Sequence, residues 1–194
     1  MSPSEGGNRT NMMVRIERTP NKQAGVSGAG VAGLIGGLFL ATALWKVLLG
    51  PDPVADWMPV AAAVVAWLAT RVVHEVVHWM VHRVHGRRAR VSLGWPAYCW
   101  AEGRMSRNQA MLVLVAPFGL ITALSLAVLA FGWARTPFVE LCWLLAGSWN
   151  ALGSMQDLWE VGLLLSAPPS AKVEDFRHEM RIFLDPTEEA DRKE

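Results

Sequence analysis

The sequence predicts an all-α membrane protein with about four transmembrane helices and a short hairpin or re-entrant loop between helices two and three. Hydrophobic residues make up 52% of the 194 residues and charged residues only 18%, and the charges lie mostly outside four long apolar runs. No internal repeat is visible. We therefore expect one membrane domain at residues 25–165, between a flexible tail at 1–24 and a charged tail at 166–194.

The first two apolar runs predict helices one and two. Residues 25–49 are rich in glycine, which lets a neighbouring helix approach closely, and the turn Gly50-Pro51-Asp52-Pro53 ends this run. Helix two is expected to begin near Trp57, an aromatic residue typical of membrane interfaces, and to end at Gly86 beside a cluster of arginines.

The second half of the chain predicts two more helices after an irregular segment. Residues 91–107 contain two glycines and a proline among aromatic and polar residues, so they are too short and too broken to span a membrane. Helix three is expected at 109–132, with a kink at Pro117, and helix four at 138–165.

Lysine and arginine are concentrated in both tails and in residues 83–107, whereas the turns at 50–56 and 133–137 contain only Arg135. Because positive residues favour the cytoplasmic side, we expect a multi-pass protein of the cell membrane with both termini in the cytoplasm. The bilayer is then one partner, and a net charge of +1 gives no indication of nucleic-acid binding. Cys99 and Cys142 are predicted to be plain buried or interfacial thiols.

Helix two contains the pattern His74-Glu75-Val76-Val77-His78. A helix places His74 and His78 one turn apart, so both imidazoles can reach one zinc ion while Glu75 addresses a water bound to it, as in a zinc hydrolase. Arg71, His82 and His85 fall on the same side of the helix, within a sector of roughly 80°. The alternative is a polar stripe at a helix interface, with Arg71 paired to Glu75.

Helix four carries a carboxylate within its apolar run. Asn150, Ser154 and Asp157 share one helical face, and a buried membrane carboxylate indicates a partner or a function. The histidine pattern and Asp157 both lie roughly 25–32 Å from the outer ends of their helices. We therefore expect them to meet near the cytoplasmic edge as a three-ligand site with a vacant position. A structural ion pair between Asp157 and Arg71 is the alternative.

The chain resembles small polytopic zincin-type peptidases, which are similar in site design to the site-2 protease class of intramembrane metalloproteases. The resemblance rests on His74-Glu75-Val76-Val77-His78 and on Asn150 with Gly153-Ser154-x-x-Asp157, within residues 57–165. It implies that His74, His78 and Asp157 bind zinc and that Glu75 is the general base.

The expected reaction is hydrolysis of a peptide bond in a membrane-spanning protein near the cytoplasmic leaflet. Charge that develops on the substrate carbonyl needs a hydrogen-bonding or positive neighbour, and Asn150 and Arg71 are candidates besides zinc. A helical substrate must be unwound locally, and residues 91–107 could pair with the extended strand.

Two other classes of protein remain as alternatives. His74, His78, His82 and His85 superficially suggest a di-iron hydroxylase or desaturase, but such enzymes carry several separate histidine boxes and this chain has one cluster plus His178. A non-catalytic metal-binding adaptor or transporter subunit could use the histidine stripe to conduct or sense a cation. The sequence assigns no oligomeric state and no role to His82, His85 or residues 91–107.

Overall fold

The structure is a computed structural model that describes residues 12–17, 26–50, 55, 57–94, 97–176 and 179–184. Most of these residues are helical, in α1 (Val26–Leu49), α2 (Met58–Val84), α3 (Arg107–Ala130), α4 (Pro137–Gly153) and α5 (Met155–Ser166). The strands are β1 (Met12–Glu17), β2 (Ala89–Ser92), β3 (Tyr98–Ser106), β4 (Lys172–Asp175) and β5 (Glu179–Leu184).

Helix α4 packs against α1, α2 and α3. Glycines allow α1 to come close to α4: a Cβ added at Gly36 would lie 3.2 Å from the Cβ of Ala151, and one added at Gly147 would lie 2.9 Å from the ring of Phe39. Phe39 also packs in an apolar cluster with Leu144 of α4. The glycine-rich composition of the first apolar run thus serves close helix packing.

Two helices, α2 and α3, are long and apolar enough to cross a membrane, and Ala32–Leu48 of α1 is a shorter apolar helix. Large apolar side chains of α2 are exposed on the outside of the bundle: Val60, Val64, Val65, Trp67, Leu68, Val72, Val73, Val76, Trp79, Met80 and Val84. An apolar outer surface of this kind indicates membrane association.

The C-terminal end of α2 lies where the sequence predicts it. Gly86 has a φ of 71°, a left-handed conformation that glycine adopts without a steric penalty. Its amide donates to the carbonyl of Arg83, and the next amide, of Arg87, donates to the carbonyl of His82. These bonds close the helix immediately after the histidine-bearing turns.

The single helix predicted at 138–165 is two helices, so that prediction is wrong. The chain leaves regular helix geometry at Ser154, where φ is −82° and ψ is 0°, between α4 and α5. Gly153 directly before it lowers helix propensity, and serine competes for backbone hydrogen bonds. Helix α5, with 12 residues, is about 18 Å long and does not span a bilayer by itself.

The all-α prediction is also wrong, because the described residues include a five-stranded antiparallel sheet with strand order β1-β5-β4-β3-β2. The hairpin predicted between helices two and three is present as β2 and β3. The other three strands lie in the segments predicted to be tails, so part of each tail is ordered. The division into a membrane domain and two tails otherwise stays a prediction.

The inner face of the sheet covers one end of the helical bundle. Met105, Val173, Met180 and Ile182 pack with Leu164 of α5 and with residues of α3. Strand β1 precedes α1, the β2–β3 hairpin joins α2 to α3, and β4 follows α5. The sheet therefore lies beside the end of α2, the start of α3 and the end of α5, and α5 in turn packs against α1.

Candidate metal centre

His74 and His78 lie on successive turns of α2, as the sequence predicts. Their Nε2 atoms are 3.2 Å apart, and their rings meet edge to face with centroids 4.8 Å apart. His78 is buried, and the His74 side chain is only 12% exposed. Both imidazoles thus point away from the outer surface of α2 and toward the interior of the bundle.

Asp157, in the first turn of α5, joins the two histidines. Its Oδ2 lies 3.0 Å from the Nε2 of His74 and 3.4 Å from the Nε2 of His78. Zinc with nitrogen and oxygen ligands at about 2.0–2.1 Å in a tetrahedron requires ligand atoms about 3.3 Å apart. The three separations surround that value, so these residues fit a zinc ion.

Hydrogen bonds behind the histidines fix which ring nitrogens face Asp157. The Nδ1 of His78 lies 2.9 Å from the carbonyl oxygen of Val113, which can only accept, so Nδ1 donates. The Nδ1 of His74 likewise lies 3.3 Å from the Oδ1 of Asn150. Each Nε2 then carries a lone pair directed at a carboxylate oxygen. Two imidazole nitrogens and a carboxylate oxygen that approach one another this closely are suited to bind a shared metal cation.

The side chain of Asn150 is itself held in one orientation. Its Nδ2 donates to the carbonyl of Phe118 and to the Oγ1 of Thr122, both at 3.3 Å. Because the amide nitrogen is engaged there, Oδ1 faces His74. Asn150 is fully buried, so the structure places it behind His74 rather than in open space beside the metal ligands, as is common for partners of metal-binding histidines.

Two cavities meet at this site. The first, of about 260 Å³, contains the three ligand residues and Glu75, and we call it the polar cavity because His82, Gln156 and Asp175 also line it. The second, of about 390 Å³, contains Trp67, Arg71, Trp149 and Leu152, and we call it the aromatic cavity. Glu75 lines both of them.

Arg71, the other predicted substrate contact, lies in the aromatic cavity one turn before Glu75. Its Nη2 donates to the carbonyl of Gly94 at 2.6 Å, which connects α2 to the segment between β2 and β3. The ion-pair partners of Asp157 among the described residues are His74 and His78, not Arg71.

Two further histidines of α2, His82 and His85, were not assigned a role from the sequence. His82, one turn after His78, is fully buried, and neither of its ring nitrogens has a hydrogen-bond partner among the described residues. Its Nε2 lies 3.9 Å from the Oδ2 of Asp175, which is too far for a direct hydrogen bond. His85 instead donates to the carbonyl of Val81.

Asp175 was missed because it lies in a segment predicted to be a tail. It faces Ala101 across the β3–β4 pair, so it projects from the inner face of the sheet toward α2. Cys99, on the same face, is a buried free thiol as predicted. Burial raises the pKa of Cys99 to about 12, with the carboxylates of Glu75 and Asp175 as further causes, so this thiol stays neutral.

Comparison with models of known protein families gives a match that includes these residues. A family model described as "Putative zincin peptidase" covers residues 67–172, which is more than half of the chain and includes both histidines, Glu75 and Asp157. No curated protein and no solved structure gives a significant match. The family implies zinc, in agreement with the three clustered ligands, while the similarity to the site-2 protease class stays a prediction. The chain belongs to the putative zincin peptidase family.

Proposed function

We propose that this protein is a zinc metallopeptidase that hydrolyses a peptide bond of a membrane-spanning protein near the cytoplasmic leaflet. The observation that carries the proposal is the convergence of His74, His78 and Asp157, whose three acceptor atoms lie 3.0–3.4 Å apart. Glu75 lines the cavity that contains them. Family membership supports the peptidase activity, and the intramembrane substrate is our extension of it.

The residues around the site have distinct chemical tasks. Zinc, when held by His74, His78 and Asp157, would supply a Lewis acid and lower the pKa of a water toward about 7. Glu75 is placed to take a proton from the attacking water and to deliver it to the amine nitrogen as the carbon–nitrogen bond breaks. Each peptide bond hydrolysed consumes one water and leaves one carboxylate and one amine.

Asn150 is an orienting residue in this scheme. Its Oδ1 accepts the Nδ1 proton of His74, so the Nε2 lone pair is presented to the metal. Arg71 shares the aromatic cavity with Glu75, and we retain it as the protein group proposed to contact the substrate carbonyl. The two roles differ because Asn150 lies behind His74, whereas Arg71 lies in the wall of the aromatic cavity.

We propose that α1, α2, α3 and the α4–α5 pair each cross the membrane. Support comes from the sheet: β1 pairs with β5, so the strands before α1 and after α5 lie on the same side, as an even number of crossings requires. The arginine-rich end of α2 lies on that side too, which favours the cytoplasm. The metal centre is then at the cytoplasmic edge of the bilayer.

An extended substrate could bind beside the site by strand addition. Strand β2 is the terminal strand in the sheet order. Tyr98, the first residue of β3, and Ala97 immediately before it line the polar cavity. An edge strand offers backbone donors and acceptors that hold a peptide in extended form. Such a conformation exposes a peptide bond that a transmembrane helix would shield.

The test is cleavage of single-span substrates by the purified protein, with metal content measured on the same samples. Glu75→Gln should keep wild-type zinc content and lose at least about 100-fold in cleavage rate, because general acid–base catalysis contributes about 10²–10⁴-fold. Glu102→Gln, at an exposed pair with Arg90, is the matched control and should cleave normally.

Cleavage that survives both a zinc chelator and Glu75→Gln would rule out the mechanism. Full function in cells after Glu75→Gln would instead favour a metal-binding adaptor or transporter subunit, because Glu75 is not one of the three clustered ligands.

A further inference from the structure

We propose that the two cavities form one substrate channel over Gly153, and that the channel selects a peptide bond between a large apolar residue and a polar residue. This inference rests on the proposed peptidase function and adds its substrate class. It follows from the shapes and linings of the cavities and from the space at Gly153.

The two cavities adjoin each other beside His74. They share four wall residues, His74, Glu75, Ala97 and Gly153. A peptide whose carbonyl carbon lies beside Glu75 and the metal ligands therefore extends in both directions, with one flank in the aromatic cavity and the other in the polar cavity. Ala97 and Gly153 are small, which keeps the junction open for a polypeptide backbone.

The space at the junction of the two cavities is evident at Gly153. A Cβ built on Gly153 meets no atom within 4 Å, whereas one built on Gly147 of the same helix would meet the Phe39 ring at 2.9 Å. Gly147 is thus explained by packing against α1. Gly153 has no such neighbour and no positive φ, although glycine weakens a helix. The open space above it faces the junction of the two cavities.

The two flanks differ in chemistry. Trp67, Trp149 and Leu152 are 36%, 40% and 42% exposed, so the aromatic cavity presents apolar surface that a large apolar side chain would cover. On the other side of the metal ligands, His82, Gln156 and Asp175 present polar atoms to the polar cavity, although Val113 and Leu114 also line it. A substrate peptide bond at the metal ligands would therefore have an apolar side chain in the aromatic cavity on one flank and a polar side chain in the polar cavity on the other.

The aromatic cavity also continues toward the outer surface of α2. It shares Trp67 and Arg71 with a third cavity, which Leu68 and Val72 line. Leu68 is 51% and Val72 41% exposed, so this route opens on the apolar side of the bundle. An apolar stretch enters from there and its polar continuation passes the metal ligands. That order of residues occurs at the end of a transmembrane segment.

The first test fills the space at Gly153. Gly153→Leu should fold, bind zinc as the wild type does, and lose at least tenfold in cleavage rate, because the new side chain projects into the channel. Gly119→Leu is the matched control: it is an exposed helical glycine in α3 whose added Cβ also meets nothing within 4 Å, and it lines neither cavity. Wild-type cleavage by a metal-loaded Gly153→Leu protein would overturn the channel.

The second test measures binding without turnover. Labelled peptides in detergent are titrated into zinc-loaded Glu75→Gln protein and followed by fluorescence anisotropy. A peptide with leucine or phenylalanine followed by polar residues should bind at least fivefold more tightly than an all-polar peptide of the same length. Trp149→Ala should remove most of that preference while zinc content stays unchanged.

The outcomes separate this inference from the proposed function. Equal binding of the peptides, together with wild-type cleavage that depends on Glu75, would overturn the inference and leave the peptidase function standing. Cleavage that does not depend on Glu75 would overturn the peptidase mechanism itself.

Discussion

Substitution of Asn150 tests whether the hydrogen bond behind His74 prepares the metal site. In the wild type, Asn150 Oδ1 accepts from the Nδ1 of His74 at 3.3 Å, and its Nδ2 donates to Phe118 and Thr122. Asn150→Ala removes all three contacts at a fully buried position. The His74 ring then loses the partner that fixes its tautomer and its rotation about the side-chain bonds.

The expected magnitude follows from these contacts. Loss of an outer partner of a metal-binding histidine typically weakens metal affinity by about 10–100-fold, or about 1.4–2.7 kcal/mol. The free energy of unfolding should also fall by roughly 1–3 kcal/mol, because buried polar groups are left without their partner. Metal affinity and stability should therefore both decrease, with the ligands themselves unchanged.

The assay is competition for zinc against a chelator of known affinity, with thermal unfolding measured on the same samples. Thr122→Val is the control, since it removes one partner of Asn150 without touching His74, and it should keep wild-type zinc affinity. If folded Asn150→Ala bound zinc as tightly as the wild type, the orienting role assigned to Asn150 would be incorrect.

Three further predictions concern other parts of the structure. Asp157→Ala should weaken zinc binding by more than about 100-fold, since losing a ligand exceeds the effect of losing an outer partner, and metal analysis measures this. Gly147→Ala should lower the free energy of unfolding by roughly 1–3 kcal/mol, because its Cβ would overlap the Phe39 ring. Cys99, whose pKa is raised to about 12, should be alkylated at pH 8 about 10³-fold more slowly than an exposed thiol, since only the thiolate reacts.

Each of these has a control. Glu160→Gln changes a buried carboxylate of α5 that is not one of the three clustered ligands, and it should leave zinc bound. Loss of zinc from this variant would indicate that Glu160, rather than Asp157, is the third ligand. Gly37→Ala, where an added Cβ meets nothing, should not destabilise α1. The alkylation rate of Cys99 should rise about tenfold per pH unit up to pH 12, and a rate independent of pH would refute the raised pKa.

The helix that carries the histidines, α2, was predictable because its signals are local. An apolar run with histidines four residues apart specifies both α2 and the shared face of His74 and His78. Asp157 could be predicted from depth, since a straight helix converts residue number into distance. The interruption at Ser154 could not be predicted, because a change of ψ at a single residue does not alter the hydropathy pattern.

The sheet could not be predicted in the same way. Strands β4 and β5 have four and six residues, each interrupted by charges, and they acquire a buried face only when they pair with each other and with β3. Asp175 faces His82 only because β4 pairs with β3. The orientation of Asn150 was also beyond the sequence, because it depends on the donors and acceptors that Phe118 and Thr122 supply.

The pairing of distant segments has a consequence for how the protein is made. His74 and Asp157 are 83 residues apart, so at a synthesis rate of about 5–20 residues per second α5 emerges roughly 4–17 s after α2. The partner of β1, strand β5, emerges later still. During that interval the nascent chain contains His74 and His78 but not yet Asp157. The three clustered ligand residues can therefore come together only after α5 has been synthesised, later than the long apolar helices α2 and α3.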